Sequence, residues 1–203
     1  HNIAVIVPAV VVHNLDPHTG IPFLPHMAAH LSGAIDSAGH NVQVLDCFSL
    51  EPNNRRLFGK FMVLGIDEEL VVQKLGDDIV IAFIYCRTIE DLFSVERIAI
   101  TLKRKRPSVK VCLFENIQTT NSFSLRVIID YLFNCGCDAA IMGEPERRVR
   151  AVINALISGE GFNKIFNIAY KSNGKLHTTP EGTFEKDLDA LPLPLWEKFP
   201  MDG

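Results

Sequence analysis

Gly143-Glu144-Pro145-Glu146 joins a short apolar run, Ala139–Met142, to Val149, Val152, Ile153 and Leu156, which share one helical face. This spacing predicts a buried strand, a tight turn and an amphipathic helix. Pro145 suits the first helical turn, where its missing N–H has no intrahelical partner, and the two carboxylates sit where the helix dipole favours negative charge. Gly143 removes a side chain at the strand end, so a ligand can approach the backbone closely there. A second cluster, Asp16-Pro17-His18-Thr19-Gly20, follows the first apolar strand. An imidazole held by a carboxylate is a good metal ligand, because the acid fixes its tautomer and raises its basicity. Read without a ligand, the same residues make a polar loop of Asp-Pro and Thr-Gly turns. A third stretch, Glu115-Asn116-Ile117-Gln118-Thr119-Thr120-Asn121-Ser122, offers amides and hydroxyls with little charge. That lining suits a ligand edged with amides better than a phosphate or a carboxylate.

Other residue pairs carry less. His26 and His30 are spaced i,i+4, but Met27-Ala28-Ala29 between them lacks the glutamate of a zinc-protease helix. Cys86 has Arg87 as the one obvious basic neighbour that a reactive thiolate would need. Cys135 and Cys137 precede the last strand, at the rim opposite the predicted site, and read as packing residues. The chain has no GxxxxGK[ST] loop and no GxGxxG after its first strand, which argues against nucleotide sites of those types. A receiver-type phosphoacceptor is excluded as well: His13 and Asp16 stand where paired acids are needed, and Tyr85-Cys86 where an acid should end the third strand.

The elements that must position these residues alternate along the chain. Apolar strands are expected at Ile3–Val7 (reaching towards Val12), Asn41–Leu45, Asp78–Ile84, Val109–Phe114 and Ala139–Met142. Helices are expected at about 26–38, 89–104 and 123–133, after Pro145, and in a less readable region ending near Gly76. Repeated strand–helix alternation predicts an α/β fold, a doubly wound five-stranded parallel sheet of flavodoxin-like order 2-1-3-4-5. In such a sheet ligands bind outside the carboxyl ends of the strands. The predicted rim is therefore His13–Pro25, Asp46–Pro52, Tyr85–Glu90, Glu115–Ser122 and Gly143–Glu146. After Gly159 the style changes to a β-hairpin with an Asn173-Gly174 turn, then a proline-punctuated apolar tail expected to lie extended on a surface.

At 203 residues the chain makes one domain with an appendage, divided here as 1–158 and 159–203. A net charge of −4 argues against nucleic acid or an anionic membrane as a partner. The basic run Lys103–Arg106 complements the end of a helix. The run Ile3–Val12 is about half of the ~20 residues a membrane span needs and is broken by Pro8. The five scattered cysteines fit a reducing, cytoplasmic setting.

Taken together, these stretches resemble the N-terminal cobalamin-binding domain of cobalamin-dependent radical S-adenosylmethionine enzymes. The likeness is carried by PFLPHMAAHLSGAIDSAGHNVQVLD after the first loop, by strand three with its polar turn and PSVKV, by MGEPE in place of a Gly-Glu-x-Glu turn, and by the closing hairpin and DLDALPLPLW. The CxxxCxxC iron–sulfur motif of the family does not occur, so the [4Fe-4S] cluster and S-adenosylmethionine are expected in a radical domain beyond Gly203, with the chain itself inactive alone. The family's DxHxxG spacing is one residue shorter here, Asp16-x-His18-x-Gly20, and its glycine pair after strand four is Glu115-Asn116.

The resemblance implies a cobalamin-binding module that positions a corrinoid for methyl transfer or a related radical step. It implies a corrin ring over the strand ends, with His18, among Asp16, Thr19 and Gly20, facing cobalt as an axial ligand. Tyr85, Cys86, Arg87 and Thr88, together with Glu115, Asn116, Gln118, Thr119 and Thr120, would meet the nucleotide tail and the amides. Gly143, Glu144, Pro145 and Glu146 would line the floor. The partners implied are cobalamin and the radical domain of the same polypeptide. Two other readings stand beside it: a cofactor-free α/β docking domain of such an enzyme, and a flavin-binding flavodoxin-like protein, of whose phosphate loop only Thr19 and Gly20 approach the expected composition.

Overall fold

The first apolar run divides into two strands. β1 (Asn2–Val7) stops at Pro8, which has no N–H to offer a ladder, and β2 (Val10–His13) continues into a different sheet. The computed structural model describes residues 1–15, 24–115, 125–183 and 185–200. After β2 come α1 (His26–Ser37) and β3 (Asn41–Asp46), then α2 (Cys47–Leu50), a hairpin of β4 (Arg55–Phe58) and β5 (Phe61–Leu64), and α3 (Glu68–Lys74). Next are β6 (Ile79–Cys86), α4 (Leu92–Lys105), β7 (Lys110–Glu115), α5 (Ile129–Asn134), β8 (Ala139–Ile141) and α6 (Val149–Ser158). The second hairpin, β9 (Ile168–Ser172) and β10 (Lys175–Thr178), closes the regular structure.

The main sheet has the order β10-β9-β8-β7-β6-β1-β3. Pairing is parallel from β3 to β8 and antiparallel from β8 through β9 to β10. The expected five-stranded sheet is thus corrected to seven strands. β8 is only three residues long, and its outer backbone groups are taken up by Ile168–Tyr170 of β9. Asn173 and Gly174 both have positive φ (50° and 74°), the backbone a two-residue Asn-Gly hairpin turn requires.

Side-chain alternation along the central strands feeds two layers. Ile3, Val5, Val7, Ile81, Phe83, Cys112 and Phe114 face α1 and α6, while Ala4, Ile6, Ala82, Ile84, Val111 and Leu113 face α3, α4 and α5. The least readable region of the sequence, Phe48–Leu75, holds the helix expected to end near Gly76, α3, and also supplies β4 and β5, which with β2 form a three-stranded sheet ordered β2-β5-β4. Its capping signal was present: Asp67 accepts the Leu70 N–H at 2.7 Å and starts α3. The helix after β8 begins later than expected. Pro145 lies before it, its carbonyl accepting N–H groups of Arg148 (3.0 Å) and Val149 (2.9 Å), so Glu144 and Glu146 fall outside the first turn of α6.

The apolar tail packs on α1. The Leu195 N–H donates to the Ala29 carbonyl at 3.0 Å, the Trp196 ring stands edge-on to His26 with centroids 5.4 Å apart, and Phe199 is buried. Gly33 makes this possible, since a Cβ there would collide with the Leu193 carbonyl oxygen. Leu188 and Leu193 remain exposed.

Candidate functional site

The carboxyl ends of β6, β7 and β8 place the described candidates in two groups. The β6 residues turn inward. Tyr85 is buried and stacks on Phe114 of β7, with centroids 4.9 Å apart and planes 10° from parallel. Cys86 is buried, and burial, followed by the neighbouring Cys137, pushes its thiol well above the ordinary range, so it is no ready nucleophile. Arg87 is not a partner for that thiol. Its Nε and Nη2 donate to Asp91 Oδ2 (2.8 Å) and Oδ1 (3.1 Å) in a forked pair that is buried on both sides. Thr88, two residues past the end of β6, is half-buried. Above the pair, the Ala9 N–H, one residue before β2, donates to Ser94 Oγ at 3.2 Å, which fastens the start of the small sheet to this corner.

The β7 and β8 residues come together. Glu115, at the end of β7, accepts the Gly143 N–H at 2.7 Å through Oε1 and the Leu125 N–H at 2.8 Å through Oε2. Gly143 has φ +83°, and the nearest atoms to a Cβ built on it are Arg148 Nη2 at 3.6 Å and Asn167 Nδ2 at 3.9 Å. Glu144 Oε2 accepts the Glu185 N–H at 2.9 Å, and its carbonyl takes the Arg148 guanidinium. Pro145 is buried. Burial, with Glu144 adding to it, raises the Glu146 carboxyl above its ordinary value. Burial also lowers the Arg148 guanidinium, a shift that Glu144 and Glu146 oppose.

A cavity of about 540 Å³ opens beside this turn, lined by Glu144, Arg147, Arg148, Phe166 and residues 181–183. The segment that crosses it is held by charge: Arg147 Nε meets Glu185 at 2.6 Å and Arg126 meets Glu181 at 3.4 Å. Asn167, at φ 53°, receives the Gly182 N–H on Oδ1 at 3.2 Å. Sequence reasoning missed Asp91, Arg148, Asn167 and Glu185. Asp91 and Arg148 had a local signal, each lying four residues after its partner, Arg87 and Glu144; Asn167 and Glu185 are brought in by tertiary contact.

Asp16, His18, Thr19, Gly20, Asn116, Gln118, Thr119 and Thr120 lie outside the described residues. Of the helical histidines, His26 is exposed against Trp196, and His30 is half-buried, with burial and then His26 lowering its pKa. Among the described residues no group of three or more His, Cys, Asp or Glu side chains could hold a metal, and no helix is long and apolar enough to cross a membrane.

The fold and the grouped strand ends define a doubly wound α/β domain, and its structural neighbours are cobalamin-dependent radical S-adenosylmethionine enzymes. One is the radical methyltransferase TsrM from Kitasatospora setae, solved with cobalamin and a [4Fe-4S] cluster, at TM-score 0.63 and 11% identity over 95% of this chain and 31% of that one. Another is OxsB, solved with aqua-cobalamin and S-adenosylmethionine, at TM-score 0.62 and 12% identity over 90% of this chain and 22% of that one. At these identities the likeness is one of fold. An uncharacterized methyltransferase of Pyrococcus horikoshii is 33% identical over 69 residues, and the chain spans 15% of its length. No protein-family model matches.

Proposed function

We propose that the chain is the cobalamin-binding module of a radical S-adenosylmethionine enzyme, holding a corrinoid at the carboxyl edge of the main sheet. The observation that carries this reading is the fold shared over 95% of the chain with TsrM, which was solved with cobalamin. The residues at hand fit such a group. Gly143 leaves its backbone approachable, and the atoms nearest that opening, Arg148 Nη2 and Asn167 Nδ2, are hydrogen-bond donors. A corrinoid presents amide carbonyls and a phosphodiester, which are acceptors. Gly143, Glu144, Pro145 and Glu146 would form the floor, and Thr88 the wall at β6. Asp16, His18, Thr19 and Gly20, which follow β2 in the chain, would close one side of the site, with His18 as the candidate residue to hold cobalt, and Asn116, Gln118, Thr119 and Thr120 would close it after β7. Tyr85, Cys86 and Arg87 would act from behind, through the packing that fixes β6. Cobalamin, when bound, would supply a cobalt centre able to carry a methyl group. Residues 1–158 would bind it, and 159–203 would lead to a radical domain that holds the [4Fe-4S] cluster and S-adenosylmethionine.

A second reading is a cofactor-free docking domain. It is favoured by Glu115, whose carboxylate spans the ends of β7 and β8. One experiment separates the two. Purified protein is mixed with hydroxocobalamin, desalted and scanned; a retained corrin absorbance is expected, and a colourless protein would leave the docking reading in place.

A further inference from the structure

One buried carboxylate ties together two segments that no element joins. Glu115 is 6% exposed, and each of its oxygens takes one backbone N–H, Gly143 at 2.7 Å and Leu125 at 2.8 Å. Gly143 opens the turn between β8 and α6, while Leu125 starts the short 3₁₀ turn ahead of α5. Gly143 holds a left-handed φ of +83°, which side chains rarely adopt. Arg148, on the far side of the same turn, lies near enough for its charge to attract the carboxylate.

We propose that Glu115 is a positioning residue of the candidate site: without touching the ligand, it sets the spacing between the ends of β7 and β8 by holding the Gly143 and Leu125 amides. The role in ligand binding rests on the corrinoid reading above; the clamp itself rests on geometry alone. Two acceptor oxygens on one short side chain are what the two donors require. Glutamine has the same shape but offers one acceptor and an NH₂, so one of the two N–H groups would face another donor. Aspartate keeps the charge but is one methylene shorter, so it cannot reach both amides. Each bond is charge-assisted and buried, the kind whose loss is felt most strongly.

The test uses E115Q and E115D with two independent readouts. In cofactor-free protein, amide hydrogen exchange at Gly143 or Leu125 should accelerate at least about tenfold in both variants, with β1 and β6 amides unchanged. With hydroxocobalamin, both variants should bind about tenfold more weakly and show a reduced visible circular dichroism of the corrin, which reports how rigidly the chromophore is held. Mere loss of stability would lower the unfolding midpoint but leave the dichroism of the bound fraction intact. Unchanged protection of both amides in E115Q overturns the clamp. Full affinity and dichroism in E115D would show that charge alone matters and overturn the positioning role. Faster exchange with unaltered corrinoid binding overturns that role too. A wild-type protein that takes up no hydroxocobalamin overturns the corrinoid reading and the role together, while exchange still reports on the clamp.

Discussion

Replacing Asp91 by Asn removes one charge from a pair that is almost wholly enclosed: Arg87 is 7% exposed and Asp91 1%. Taking one partner from a buried ion pair costs about 3–5 kcal/mol; here it leaves Arg87 desolvated, with the Asp46 carboxylate as its remaining nearby counter-charge. For a chain of 203 residues, each kcal/mol moves Tm by about 2–4 °C, so D91N should melt roughly 6–20 °C below wild type. Urea denaturation followed by circular dichroism should show the loss as a lower midpoint at an unchanged slope. The deficit should depend little on salt, because enclosed charges are poorly screened. The double variant R87M/D91L should recover most of it, since it removes the stranded charge along with its partner. A D91N protein within about 1 kcal/mol of wild type, or a double variant worse than D91N, would refute the reasoning.

Two further perturbations follow from the same geometry. In an exposed helix Gly33→Ala would stabilise by about 1 kcal/mol, but here the new methyl meets the Leu193 carbonyl, so the tail should leave α1. The single tryptophan, Trp196, reports this directly: a red-shifted emission is expected, and an unchanged spectrum would show that the tail is seated otherwise. Glu146 offers a pH test. Burial raises its folded carboxyl above the ordinary 4.5, so the stability of the protonated group is present below that value and lost as pH rises through the folded one. E146Q should therefore be more stable than wild type at about pH 7, with the difference closing by about pH 3; a constant difference across this range would contradict the assignment.

Much of the architecture was legible because burial writes a period into sequence. Continuous apolar runs marked β1, β6 and β7, the Asn173-Gly174 turn marked the second hairpin, and Gly159 marked the end of α6 at φ 79°. The hairpin of β4 and β5 was not legible, since its strands are short and its residues Arg55–Phe58 are largely exposed, leaving little alternation to read. At the site, the Gly143–Glu146 turn could be read from residue types alone, and Glu115 could be marked as standing at the rim. What Glu115 does there could not: its partners, Gly143 and Leu125, are 28 and 10 residues away.

The sequence by itself determined the apolar strands of the main sheet and the turns marked by Gly and Asn-Gly, because hydrophobic periodicity and backbone constraints act over a few neighbouring residues. Only the tertiary structure decided that Arg87 serves Asp91 rather than Cys86, that β9 and β10 extend the sheet, and that Gly33 seats the tail. The last two depend on segments far apart in the chain meeting in space, and the first on which way the backbone turns Arg87 after β6; hydrogen bonds, ion pairs and steric fit are set by that three-dimensional geometry.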